Sequence, residues 1–165
     1  MPIGRSTGGN GRKASNRAAM YEDLIDLIKR KRVAFPPFGN GVSDDAIRAA
    51  EDALGVAFPP SYRWWLRNYG GGQVGGDIVY GLDEAAIDAP DIVKLRAADV
   101  ADRIMQPHEL RFYVGNAESF LFDTRRRLES GEFVIYYLEA GQPASRYADS
   151  YDEFLRRRID EVLGR

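Results

Sequence analysis

The chain has no cysteine and one histidine among its 165 residues. Without cysteine there are no disulfides, no thiolate nucleophile and no cysteine-bound metal. The histidine, His108, sits between Pro107 and Glu109 with no second ligand at metal-binding spacing, so it reads as a surface residue. Long apolar runs are also missing. No stretch approaches the ~18 residues of a membrane helix, and the N-terminus carries no hydrophobic segment of the secretory kind. No Gly-x-Ser-x-Gly or His-Glu-x-x-His motif is present. Asp77, Asp83 and Asp123 are available for acid–base work, but nothing in their spacing converges them on a substrate. These absences together point away from an enzyme and imply no cofactor and no metal. They lead us to expect a cytoplasmic chain.

Charge is present but unevenly placed. The formal net charge is −2. Residues 1–18 carry Arg5, Arg12, Lys13 and Arg17 and no acid, so the remainder is more acidic than the total suggests. The excess lies in the middle, where Asp77, Asp83, Glu84, Asp88 and Asp91 follow one another with no base between them. An acidic segment attracts a basic partner and repels nucleic acid. Residues 1–18 are rich in Gly, Ser, Asn and Arg. They hold too little apolar surface to offset ordering entropy, and read as a disordered basic tail. Two origins stay open for it: a solvated tail, or sequence upstream of a natural start at Met20. Residues 19–165 read as a single domain, long enough to bury a core.

Periodicity supplies the elements. Tyr21, Leu24, Ile25 and Ile28 make one face of a helix over 19–32. Acids lie early in it and Lys29 to Arg32 late, the order its dipole favours. Ser43 is a helix cap, with Asp44 and Asp45 in the first turn and Ile47, Ala50 and Leu54 on one face. Gly55 suits a left-handed stop. Pro59 and Pro60 open the next helix, on which Tyr62, Trp65, Leu66 and Tyr69 form an apolar stripe. Trp64 lies about 100° from Trp65, which makes it a candidate interface anchor. The run from Gly70 to Gly76 does not hold phosphate, because it follows a helix and precedes a strand.

A strand is expected over 77–80 and a partly helical connection over 84–105. Period-two strands follow at 112–114 and 119–123, joined by a turn at Gly115 and Asn116. The run 133–138 is apolar on both faces, as a central strand would be. Ser150 and Glu153 form a capping-box pair that opens a last helix, with Tyr151, Phe154, Leu155, Ile159 and Val162 on its buried stripe. Helices first, strands in the middle and a closing helix indicate an α+β domain. Its small antiparallel sheet is wrapped by N-terminal helices and the C-terminal helix.

The order of Ile47, Glu51, Leu54, Gly55, Pro59, Tyr62, Leu66, Tyr69 and Gly70 resembles the SUKH superfamily, which includes the Smi/Knr cell-wall regulators. Gly115 and Asn116 followed by Asp123, and the terminal Tyr151, Phe154 and Leu155, extend the resemblance over roughly residues 20–163. It implies the same α+β fold and, most often, a bacterial immunity protein that neutralises a cognate toxin, frequently a nuclease. A nuclease groove must be basic to hold phosphates. The acids Asp77, Asp83, Glu84, Asp88 and Asp91, with Trp64, are therefore the expected partner-binding residues, and the partner is a protein toxin with a basic surface. The alternative is a regulatory or scaffold protein of the Smi/Knr type. Neither reading involves nucleic acid or a membrane as a partner.

Overall fold

The computed structural model of the protein describes residues 10–34, 40–82 and 91–164, with side chains from residue 18 onward. Within them, five helices and six strands alternate as α1 (Asn10–Lys31), α2 (Asp44–Leu54), α3 (Pro60–Asn68), β1 (Gly72–Val74), β2 (Asp77–Val79), α4 (Ile92–Ala101), β3 (Glu109–Val114), β4 (Glu118–Arg127), β5 (Phe133–Glu139), β6 (Ser145–Ala148) and α5 (Tyr151–Leu163). Each strand pairs antiparallel with the next, giving one six-stranded sheet in chain order. This is the α+β fold that the sequence indicates, with α5 closing it. No helix among the described residues is long and apolar enough to cross a membrane.

The expected caps are in place. The Ser43 hydroxyl accepts from the Ala46 N–H at 3.2 Å, and Gly55 closes α2 at φ 70°. Ser150 Oγ accepts from the Glu153 N–H, while the Glu153 carboxylate reaches back to the Asp149 N–H at 3.0 Å. α1 starts at Asn10, nine residues ahead of the expected boundary; once a helix has nucleated, Arg, Lys and Ala propagate it at little cost. Residues 1–9 of the expected tail lie outside the described residues. Two strands went unread. β1 lies inside the glycine run, joined to β2 by Gly75 and Gly76 at φ 61° and 98°, the left-handed pair that a tight hairpin needs. β6 follows Pro143 and pairs antiparallel with β5.

Helices α3 and α5 cover one face of the sheet, and α1 packs against them through α5 and the Tyr21–Trp64 stack. Their core is aromatic: Tyr62 of α3 and Tyr151 and Phe154 of α5 meet Phe112, Phe120 and Phe122 of the sheet at centroid distances of 4.9–6.4 Å. Such pairs each add about 0.5–1.5 kcal/mol beyond area burial. A register shift between Arg111 and Tyr113 turns the consecutive Phe112 and Tyr113 onto this same face, and both contact Phe154. Arg111 points the other way, to α4, where its guanidinium pairs with Asp99 at 2.6 Å.

One buried carboxylate ties three elements together. Glu132, just before β5, is 6% exposed. It accepts from the Ser61 N–H at 2.9 Å and the Ser61 hydroxyl at 2.7 Å. Ser61 is the second residue of α3, so its N–H is one of the donors a helix start leaves unpaired. The same hydroxyl oxygen accepts from the Tyr151 N–H at 3.0 Å, the first residue of α5. Removing the Glu132 carboxylate strands two buried donors. Glu132→Ala is expected to cost about 2–4 kcal/mol, read as a lower urea midpoint, whereas Asp45→Ala, which breaks an exposed ion pair, is expected to cost under about 1 kcal/mol.

Candidate functional site

Among the concavities on the described surface, two combine a defined wall with side chains open to a partner. The first runs between α2 and α4. It has a volume of about 340 Å³ and is walled by Ala46, Ala49, Ala50 and Ala53 on one side and Val93 and Lys94 on the other. The alanines fall at i, i+3, i+4 and i+7, so one helix face presents methyl groups only. Leu82 and Asp91 also line it. They are held side by side because Gly81 and Asp91 form a bridge and the Ile92 N–H donates to the Gly81 carbonyl at 2.9 Å. Gly81 permits that meeting: a Cβ there would lie 1.7 Å from the Gly70 carbonyl oxygen. Beyond the groove, α4 leaves Val100 and the following Ile104 about half exposed.

The second concavity, about 180 Å³, lies on the outer face of the sheet and is lined by His108, Glu109, Asp123, Arg125, Arg126 and Tyr136, among others. Asp123 is buried and takes Arg125 on both carboxylate oxygens at 3.1 Å. That guanidinium holds the Asp123 carboxyl below its ordinary 3.8, against the opposing effect of desolvation. Asp123 lies inside β4 and not in a turn, and its carboxylate closes back onto the N–H and guanidinium of Arg125 two residues on.

The expected partner-binding residues are placed as follows. Asp91 caps α4, accepting from the Val93 and Lys94 N–H groups at 2.7 and 3.1 Å, and lines the apolar groove. Asp77 is half-buried, accepts from the Tyr113 hydroxyl at 2.6 Å and lies 3.6 Å from Arg158. Desolvation and then Asp77 itself push the Tyr113 phenol well up. Trp64 is half-buried, stacked on Tyr21 of α1 at 4.3 Å and 7°, and edge-on to Tyr69 at 5.8 Å, so it seats α1 on α3. Asp83, Glu84 and Asp88 lie outside the described residues. Asp77 and Asp91 therefore serve different local networks. The described acids further along are also bonded inward: Asp99 to Arg111, Glu118 to Arg158.

Arg158, the last of three consecutive arginines on α5, is not solvated as a charged helix run usually is. It is 8% exposed and bonded to Glu118 and the Tyr113 hydroxyl, with the Phe120 ring 5.2 Å away. Its position on α5, one residue before Ile159 of the buried stripe, is the signal that could have found it. The groove was also within reach of the sequence, as a four-alanine stripe on α2. No group of three or more His, Cys, Asp or Glu among the described residues could hold a metal ion.

The chain matches the model of one family, described as the SMI1 / KNR4 family (SUKH-1), over residues 41–157. The matched range takes in both groove helices and the whole sheet and leaves out α1. No curated protein matches.

Asp123 gives a pH prediction. A carboxyl whose folded value is depressed stabilises the fold above its ordinary value, and that contribution is lost as pH falls through the lowered one. Asp123→Asn is therefore expected to melt below the parent at neutral pH and to converge with it as pH falls below 3.8, the ordinary value. Thermal midpoints taken across the acid range check this; parallel curves would contradict it.

Proposed function

The chain belongs to the SMI1/KNR4 family (SUKH-1), and from that premise we propose that it is a bacterial immunity protein that binds a cognate protein toxin and neutralises it by stoichiometric occlusion. The family implies protein–protein interaction in general. The observation that supports a docking role here is the α2–α4 groove, whose walls lie inside the matched range and present Ala46, Ala49, Ala53 and Val93 at the surface over the buried Ala50 and Leu82.

Apolar walls of small residues let a partner's backbone or side chains approach closely, and burying them contributes roughly 25 cal/mol per Å². A toxin of nuclease type brings a basic surface. The acids Asp83, Glu84 and Asp88 fall between Leu82 and Asp91 in the sequence, both of which line the groove. We assign them, with Asp91 and Asp77, to steering: they speed encounter and add salt dependence more than they add final affinity. Trp64, committed to Tyr21 and Tyr69, contributes to the partner surface only through its exposed edge.

The test is a rescue. The gene beside this one is expressed inducibly in a bacterial host with and without this protein. Restored growth, followed by a stoichiometric complex of the purified pair, supports the reading. A neighbour that is harmless, or that kills regardless, moves the assignment to the regulatory Smi/Knr type. Within the complex, Ala49→Arg fills the groove from an exposed helix position with a good helix former. It is expected to leave the melting temperature unchanged and to weaken binding at least about tenfold, or 1.4 kcal/mol. Reversing Asp83, Glu84 and Asp88 to lysine is expected to slow association and flatten its salt dependence.

A further inference from the structure

We propose that the concavity on the outer face of the sheet is a binding site for a small oxyanion, a carboxylate or a phosphate, held by Arg126, His108 and Tyr136. The reasoning starts from the backbone. β4 pairs Phe122 with Ile135 and next Arg127 with Phe133, so four residues of β4 bulge over a single residue of β5. In a regular strand Arg125 and Arg126 would point to opposite faces. Here both line the one cavity. Bulges re-aim side chains in this way. The bulge is anchored: the Thr124 N–H and hydroxyl both donate to the His108 carbonyl at 2.9 Å, fixing His108 beside Asp123 and the arginines.

The hydrogen-bonding capacity of the cavity is unbalanced. Its two carboxylates are each engaged from within, Asp123 on both oxygens and Glu109 on one. Asp123 accepts from the Arg125 N–H at 3.0 Å and from its guanidinium on both oxygens, and Glu109 accepts from the Gln106 N–H at 2.8 Å. Three donors are left over: the Arg126 guanidinium, the His108 ring and the Tyr136 hydroxyl form no hydrogen bond or ion pair among the described residues. Asp123 and Arg125 cancel each other's charge, and Glu109 faces Arg125 as well. Arg126 is thus the cation with no bonded acid. Donors without acceptors in a concave, partly desolvated setting select an oxyanion, and a guanidinium meets carboxylate or phosphate through paired hydrogen bonds. A cation finds no free carboxylate pair there. The volume of about 180 Å³ holds one such group with a small attached body.

The site is independent of the α2–α4 groove, so its test does not depend on the toxin. Isotope-labelled protein is titrated with sodium phosphate and, separately, with sodium acetate, at constant ionic strength held by chloride. The expected result is saturable amide shifts confined to His108, Arg125, Arg126 and Tyr136, with a dissociation constant on the order of 1 mM. Arg126→Ala, an exposed side chain with no bond to lose, is expected to weaken binding about tenfold, while Arg30→Ala, an exposed cation on α1, leaves it unchanged. Saturation with phosphate alone assigns a phosphate ligand; saturation with acetate alone or with both assigns a carboxylate or a general oxyanion pocket. Linear shifts spread over the surface, or an Arg126→Ala protein that binds as the parent does, overturn the proposal.

Discussion

The Glu132 carboxylate governs how the domain closes. It caps α3 directly at Ser61 and caps α5 through the Ser61 hydroxyl, so one buried anion serves two helix N-termini. Anions are favoured there because helix N-termini carry partial positive charge. The consequence reaches the core. Fixing the starts of α3 and α5 fixes Tyr62 and Tyr151, whose rings meet at 5.0 Å, and Phe154 follows one turn on. Burial pushes both tyrosine phenols well up, so they stay neutral and hydrophobic in the folded state.

The two faces of the sheet are treated differently. Its helix side is filled by rings, aided by the bulge that turns Phe112 and Tyr113 inward together. Among the described residues its outer side is covered in part, by α4 held through Asp99 and Arg111. Covering half a face has two results. α4 meets α2 at an apolar groove, and the uncovered remainder leaves room for the cavity at the second bulge, in β4.

Some charge in this protein is engaged between elements. Asp77, Glu118 and Arg158 meet at the end of the sheet under α5; Glu51 and Arg63 pair between α2 and α3. Such pairs fix orientation more than they add stability, because desolvation offsets the attraction. On the proposed reading, recognition rests on the apolar groove between α2 and α4.

The sequence by itself determined every element whose signal is local. Ser43, Gly55 and Ser150 mark helix ends through bonds within four residues, Pro60 marks one through its fixed φ, and periodicity marks the buried faces of α1, α2, α3 and α5. The family order of residues from Ile47 to Gly70 was legible for the same reason, and with it the α+β class. Strands β1 and β6 were not legible: three and four residues long, they carry too few side chains for a period-two pattern, and their pairing with β2 and β5 defines them. The placement of the acids was likewise hidden. Asp77 faces Tyr113 thirty-six positions away, and Glu132 faces Ser61 seventy-one away. Residue type tells which groups want a partner, since a buried charge must be paired. Only the tertiary structure decides which partner arrives, because that depends on strand register and on the angle at which a distant helix returns.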